Sequence, residues 1–274
     1  DGQDVLHILE AYKKVFSDKV AEIQLQKRVV GVEVAIGGFF NGHEFLNPIN
    51  VNFEHKKLFP GNIGPSTGEM GTSMFWSQPN KIFNATLKKL EAKLAEEHFV
   101  GYIDINCIVN GNGIYPLEFT SRFGYPTIFI QQEGMAMPMS EFFYKMAAGE
   151  NFMIKTKKGF QIGVRIIVPP YPFDDPETFE SFSKNAVILF HKPNYDGVHF
   201  EDAKLDKGEW LVAGEAGVVL TITGSGLTMK QAQKHVYNRV SNLMIPNMYY
   251  RTDIGDRWYE DSDKLNTWGY LRDS

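Results

Sequence analysis

The sequence predicts an α+β fold in which helices and an antiparallel sheet come first and a small, mostly β unit follows. Three observations carry that expectation. The chain opens on an amphipathic helical pattern, extended segments joined by Asn/Gly turns follow, and from about Phe160 short apolar runs alternate with Pro- and Asp-containing loops. The 274 residues are 43% hydrophobic and 22% charged, enough for one large or two modest cores.

Val5, Ile8, Leu9, Tyr12 and Phe16 recur at helical spacing and define the first helix. Val29 to Phe40 then alternates Val32, Val34 and Ile36 on one face, and Asn41-Gly42 reads as a two-residue turn into a second strand near Glu44 to Asn52. A Gly/Pro-rich loop, Phe59 to Gly71, leads to a helix announced by Pro79 and carried by Ile82, Phe83, Leu87, Leu90, Leu94 and Phe99. Gly101 to Val109 and Ile114 to Phe119 are two strands meeting through Asn110 to Gly113. In the second unit the strands are Ile162 to Val168, Ala186 to Phe190 and Val218 to Thr223. Its one clear helix starts at Thr228, where Gln231 completes a capping box, and stops before Pro246. The expected divisions are 1–155, 156–257 and a tail, 258–274.

The net charge of -5 and the absence of a Lys/Arg-rich run argue against nucleic acid and anionic membranes as partners. A single cysteine, Cys107, precludes an internal disulfide framework, and no H-E-x-x-H or C-x-x-C spacing points to zinc. No apolar stretch reaches the roughly 18 residues of a membrane helix, and no signal-peptide pattern opens the chain, so the cytoplasm is the expected compartment. Because Asp1 is not an initiator methionine and a helix begins almost at once, the chain reads as a fragment of a longer protein.

The most chemically informative segment is Gly101 to Gly124. Alternation places Asp104 and Asn106 on one face, opposite Ile103, Ile105 and Cys107, while Glu118, Thr120 and Arg122 share a face on the next strand. With a three-residue loop, Asn110-Gly111-Asn112, Asp104 falls opposite Glu118. Two carboxylates about 4.5–5.5 Å apart at Cβ repel unless a cation lies between them, and magnesium accepts carboxylate and phosphate oxygens. The same residues also suit solvated edge carboxylates, with Arg122 as the partner of Glu118. Cys107 points to the apolar side as a small buried hydrophobe.

L-E-F-T-S-R-F-G at Leu117 to Gly124 is similar to the E-F-N-x-R-F-G-D-P-E signature of the glycinamide ribonucleotide synthetases, the phosphoribosylamine–glycine ligase family of the ATP-grasp superfamily. Glu54-His55-Lys56-Lys57 resembles that family's D-H-K-R, G-P-S-T-G-E-M-G at Gly64 to Gly71 its G-P-N-T-G-G-M-G, and Arg251-Thr252-Asp253-Ile254-Gly255 its R-K-D-I-G, all in the family's order. The resemblance implies an ATP-grasp fold over 1–155, the family's C-terminal domain over 156–257, and a place in purine biosynthesis. It further implies a reaction in which ATP phosphorylates a carboxylate and an amine attacks the acyl phosphate. In the family these substrates are glycine and phosphoribosylamine. ATP and magnesium, or manganese in its place, are the implied cofactors. Small-molecule carboxylate and amine substrates, and an N-terminal segment of the same protein with the phosphate-binding lid, are the implied partners.

Residue by residue, Glu118 matches the metal-binding glutamate of the family, Asp104 resembles the first magnesium carboxylate of ATP-grasp enzymes, and Thr120 stands where the family has a metal-site asparagine. Gln24 to Val29, with Gln26, falls at the hinge that reads adenine, and Glu33 looks like the acid that binds the ribose hydroxyls. His55 and Lys56 would hold a phosphate or orient the Gly64 to Gly71 loop, in which Thr67, Gly68 and Gly71 would meet substrate. Arg122 would be a catalytic anion clamp. Several positions depart together: Thr120 replaces asparagine, Tyr125-Pro126-Thr127 replaces D-P-E, Ser66 replaces asparagine, Glu69 replaces glycine, and Gly214 to Val218 lacks the family's arginine. These departures point to a different acceptor or, as the alternative reading, to a non-catalytic nucleotide-binding or assembly module.

Overall fold

The computed structural model describes residues 2–16 and 25–271 and divides into two units, 1–30 and 31–274. The first holds helix α1 (Gln3–Phe16), on which Val5, Leu6, Ile8 and Tyr12 are exposed. Gln26 is exposed in the same unit, and Gln24 lies outside the described residues.

The second unit is built on one eight-stranded sheet. Its strands are β1 (Val32–Asn41), β2 (Ile49–Glu54), β3 (Gly71–Ser77), β4 (Val100–Asn110), β5 (Gly113–Thr120), β6 (Phe160–Ile167), β7 (Val198–Phe200) and β8 (Val218–Gly226). They lie in the order β7-β8-β6-β3-β2-β1-β4-β5, and every neighbouring pair is antiparallel. The sheet therefore runs unbroken across residue 155, because β6 pairs with β3.

Period-two alternation gives the sheet one apolar and one polar face. On the apolar face Val34, Ile36, Val51, Ile105, Cys107, Ile162 and Val164 are buried. They are covered by residues 81–96, by α4 (Met229–Val240) and by α5 (Trp258–Thr267). The polar face carries Asn50, Asn52, Thr72, Asp104, Asn106, Gln161, Arg165, Thr221 and Thr223, all buried. Over it lie α2 (Thr127–Gly134) and α3 (Met139–Ala147), whose Phe142 and Met146 pack on Phe39 and Tyr102. Ile130 of α2 comes down over Gly163, where a Cβ would sit 2.7 Å from its side chain.

Several expected elements take a different form. Asn41 does not open a two-residue turn. Its Oδ1 accepts from the backbone N–H groups of His43 and Glu44 at 3.0 and 2.9 Å, and the second strand begins only after Pro48, which has no N–H to donate. The helix expected from Pro79 starts after Asn80, which accepts from the N–H groups of Ile82 and Phe83 at 3.1 Å. It is also broken, into Lys81–Ala85, a tight turn Leu87–Leu90 and Glu91–Glu96, at Thr86, whose hydroxyl donates back to the Ile82 carbonyl at 2.6 Å. The loop before Gly71 contains a small hairpin, Lys57–Phe59 with Ile63–Ser66. Of Ala186 to Phe190 only Leu189–Phe190 is strand.

Residues expected as a tail form α5. Its Trp258 meets Phe53, Phe75 and Phe160 edge-on at 5.4, 5.2 and 5.0 Å, and Leu265 and Tyr270 are buried in the same core. The capping box at α4 is present: Thr228 and Gln231 exchange bonds of 3.2 Å in both directions.

Gly71 opens β3 with φ of +155°, and a Cβ there would lie 2.6 Å from the Gly163 carbonyl oxygen. Backbone of a central strand cannot yield as a flexible side chain can, so Gly71→Ala is expected to destabilise the fold by about 1–3 kcal/mol. Urea unfolding, read as a midpoint shift at constant slope, measures it.

Candidate active site

The site lies on the polar face of β4 and β5, next to β1, across which Glu54 of β2 reaches Asn106. A two-residue turn, Gly111-Asn112, closes the β4–β5 hairpin with Asn110 paired to Gly113, and the pairing continues to Cys107 opposite Pro116. There it shifts: Asn106 pairs with Glu118, leaving Leu117 as the extra residue of a β-bulge. The three-residue loop and the direct Asp104–Glu118 opposition expected from the sequence are thus both corrected. Asp104 faces Thr120, Asn106 faces Glu118, and the two carboxylates are diagonal neighbours on one face.

Asp104 is 3% exposed. Burial, and next the Glu54 charge, push its carboxyl up to about 7, against hydrogen bonds from Thr120 and Tyr102 and the charge of Arg122. Tyr102 is oriented in turn by Asn50, whose Nδ2 donates to the phenol oxygen at 2.9 Å and whose Oδ1 accepts from Gln131 of α2 at 3.2 Å. The phenol fits because Gly37 lacks a Cβ, which would lie 1.9 Å from it.

Lys56 is the cation paired with the carboxylates of the site. Its ammonium lies 3.2 Å from Glu118 and 3.4 Å from both Glu33 and Glu54. Burial alone would lower its pKa, but the charges of Glu54, Glu33 and Glu118 hold it well above the usual lysine range. Glu54 also accepts from the Asn106 amide at 3.1 Å, which leaves Asn106 Oδ1 buried without a partner.

A cavity of about 170 Å³ opens here, lined by Glu54, Lys56, Gly68, Glu69, Asp104, Glu118, Thr120, Arg122, Tyr125 and Arg165 among others. Glu69 is buried and bonded by the Thr72 hydroxyl, and desolvation, then Glu54, raise its carboxyl to about 8.

Of the residues expected to form a site, Asp104, Glu118, Thr120, Arg122, Lys56 and Gly68 line the cavity. Glu33 reaches it through Lys56. Arg122 does not pair with Glu118; its Nη1 donates to the Phe123 carbonyl at 3.0 Å. Gly68 does not use left-handed backbone; Gly64 does, with φ of +84°. Thr67 turns away, donating from both N–H and hydroxyl to the Lys56 carbonyl at 2.7 and 2.9 Å. His55 is 2% exposed and not among the residues lining the cavity, and its backbone exchanges bonds with Gly71 and Met70 at 2.9 and 2.8 Å, which ties it to the loop. Sequence reasoning did not single out Glu54 or Arg165. For Arg165, the one available signal was a lone charge in the apolar run Ile162 to Val168.

The antiparallel sheet with helices on both faces and a carboxylate-bearing edge hairpin is the ATP-grasp fold, and residues 3–128 match the phosphoribosylglycinamide synthetase ATP-grasp (A) domain. Within that class the chain resembles the phosphoribosylamine–glycine ligases. It is 24% identical over 262 residues to the phosphoribosylamine–glycine ligase of Lactococcus lactis, covering 93% of this chain and 61% of that protein. To the Streptococcus pneumoniae protein of the same name it is 25% identical over 251 residues, 88% of this chain and 58% of the relative. The crystal structure of phosphoribosylamine–glycine ligase from Thermotoga maritima superposes with a TM-score of 0.65 at 21% identity, over 90% of this chain and 62% of that one. A biotin carboxylase domain of a 2-oxoglutarate carboxylase superposes at 0.57 with 12% identity, over 98% of this chain and 59% of that one. The chain thus spans about three fifths of the length of these relatives.

His55 has a sharp pH signature. Desolvation, then the charges of Arg257 and Arg251, lower its pKa to about 3, and its Nδ1 is buried without a partner. In the unfolded chain it titrates near the ordinary value of about 6.5, so below that pH the unfolded state binds the extra proton and stability falls as pH falls. Relative to His55→Gln, the wild type is expected to lose about 2 kcal/mol between pH 7.5 and pH 5. Parallel denaturant unfolding of the two proteins at both pH values checks it; an unchanged difference would refute a buried neutral imidazole.

Proposed function

We propose that this chain contributes the metal- and substrate-binding wall of an ATP-dependent carboxylate–amine ligase. In that reaction the γ-phosphoryl group of ATP passes to a carboxylate oxygen, releasing ADP. The amine nitrogen then attacks the acyl carbon, the C–O bond to phosphate breaks, and inorganic phosphate and the amine's proton leave. The observation that carries the reading is the single polar face holding Asp104, Asn106, Glu118 and Thr120 beside Lys56.

The donor set fits magnesium. Among the described residues no group of three His, Cys, Asp or Glu side chains is gathered as a self-sufficient metal site. Magnesium, however, is ordinarily held by one or two carboxylates and completes its shell with phosphate and water oxygens. Asp104 and Glu118 would supply the two carboxylates, and the unpartnered Asn106 Oδ1 would supply an amide oxygen from the adjacent strand, where Thr120 itself offers only a hydroxyl. Held there, the ion would offset the negative charge of the phosphates.

The chain's own residues act around that site. Lys56 and Arg122 would place positive charge beside bound phosphates. Asp104, whose carboxyl burial raises to about 7, would be held ionised by a bound cation. Glu33, beside Lys56 at 3.4 Å, would receive the ribose hydroxyls.

A second reading, nucleotide binding without turnover, draws on the ion pairs that hold Lys56 on Glu118 and Glu54. Thr120→Asn separates the two in the full-length polypeptide. For a ligase, the substitution is expected to raise the affinity for magnesium in the presence of ADP about threefold to tenfold, and Asp104→Asn to lower it at least tenfold. Calorimetric magnesium titrations measure both. ADP and phosphate should appear only when carboxylate and amine are supplied together; ADP release indifferent to both substrates would sink the ligase reading.

A further inference from the structure

A second cavity, of about 440 Å³, lies at the other end of the sheet order from Asp104 and Glu118. It opens between residues 191–197, the loop that leads into edge strand β7, and the last turns of α4. It shares no lining residue with the cavity described above. His191, Lys192, His235 and Arg239 line it together with one carboxylate, Asp196, and Val198 is its one aliphatic side chain.

The loop holds these groups in place. One side chain, Asn242, bonds both backbone groups of Lys192, accepting from its N–H at 2.8 Å and donating to its carbonyl at 3.0 Å. Asn194 accepts from the Asp196 N–H at 2.9 Å, which turns the chain toward Gly197. Gly197 has φ of +69°, and a Cβ there would lie 2.4 Å from Arg239 Nη1, so glycine lets the loop cross the guanidinium. Arg239 is oriented through Nη1, which donates to Glu133 at 2.9 Å and to the Thr223 carbonyl at 2.6 Å. His235 is anchored through Nδ1 to the backbone of Ser225, beyond the part of β8 that pairs with β7.

Each group keeps a free edge. Arg239 Nε and Nη2, His235 Nε2, and the side chains of His191, Lys192 and Asp196 have no hydrogen-bond or ion-pair partner among the described residues. A lone exposed lysine is ordinary surface. Two cations and two imidazoles that line one cavity from a clamped loop and a helix form a preorganised receptor for an oxyanion. The negative end of the α4 dipole opposes an anion here, but the Ser241 and Asn242 N–H groups close on the Tyr237 and Arg239 carbonyls at 2.9 and 3.1 Å and mute it.

The lining also narrows the ligand. The volume falls within the roughly 300–1,000 Å³ of small-molecule sites, so an oxyanion would fill only part of it. Without an apolar wall the cavity offers little to a nucleobase or an acyl chain, whereas Asp196 and the Asn238 amide suit hydroxyl groups. A phosphate, with three acceptor oxygens, uses the donors more fully than a planar carboxylate does.

We propose that this cavity is a second binding site, for the phosphate monoester of a small polyol, with His191, Lys192, His235 and Arg239 on the phosphate and Asp196 on the hydroxyls. The assignment is independent of the ligase reading above.

The full-length polypeptide is titrated calorimetrically with glucose 6-phosphate and glycerol 3-phosphate, with glucose and glycerol as phosphate-free controls. Inorganic phosphate and a phosphoserine peptide distinguish other sources of the same group. One of the two polyol phosphates is expected to bind at least tenfold more tightly than inorganic phosphate, its free polyol and the peptide. Lys192→Ala should weaken that binding about tenfold or more. Because Lys192 is exposed and its side chain unpartnered, the variant should unfold at the wild-type temperature. Asp196→Ala should erase the advantage over inorganic phosphate, and Lys56→Ala, in the other cavity, should leave polyol-phosphate binding unchanged. No binding of either polyol phosphate, binding no tighter than that of inorganic phosphate, the free polyol or the peptide, affinity unaltered by Lys192→Ala, or loss with Lys56→Ala in its place would each overturn the proposal.

Discussion

One unpaired residue decides whether this sheet has a site. With the two-residue turn at Gly111-Asn112 and no irregularity, β5 would continue in the register that sets Cys107 opposite Pro116. Asp104 would then face Phe119, and Glu118 would stand on the apolar side, because a one-residue slip exchanges the faces of a strand. The bulge at Leu117 restores parity and brings Glu118 and Thr120 over the face that carries Asp104 and Asn106. Strand β5 can take that bulge because it is the sheet's edge, where Pro116 also costs no ladder bond and Leu117 and Phe119 are tolerated in solvent.

The polar face is costly to build, and the fold offsets that cost in two ways. The first is mutual satisfaction, in the chain from Gln131 through Asn50 to Tyr102 and Asp104, which ties a covering helix to the acid of the site. The second is neutralisation: Asp104 and Glu69 have pKa values raised into the neutral range, while Lys56 takes the remaining negative charge of Glu33, Glu54 and Glu118. The opposite face meets no such demand and is packed with aliphatic and aromatic side chains from end to end.

The division between legible and hidden features follows the range of the interactions. Alternation in Val32 to Ile36 and in Ile103 to Cys107 reads correctly because period two is a local property, and the Thr228/Gln231 cap is settled within four residues. The Asp104–Glu118 pairing was right in face and wrong in register, because a three-residue loop and a two-residue turn with a bulge share the same parity. Helix 81–96 misled because its apolar spacing is helical throughout, while the break at Thr86 depends on one side-chain hydroxyl. Arg165 was hidden because its partners lie 96 and 36 residues away, and nothing in Ile162 to Val168 foretells them. His55 reads as a polar loop residue yet is walled in by Arg251 and Arg257, which enter from the far end of the chain.

Lys56 gives the site its logic. Its ammonium sits among three carboxylates, a position of strong local negative potential and one where a cation belongs. On the ligase reading proposed above, a divalent ion held by Asp104 and Glu118 would compete with Lys56 for Glu118, and accompanying phosphates would give the ammonium a new partner, so that no carboxylate would be left bare in the cavity, where an unpaired charge is most costly. Cation and nucleotide would then be coupled electrostatically, each binding more weakly alone than with the other.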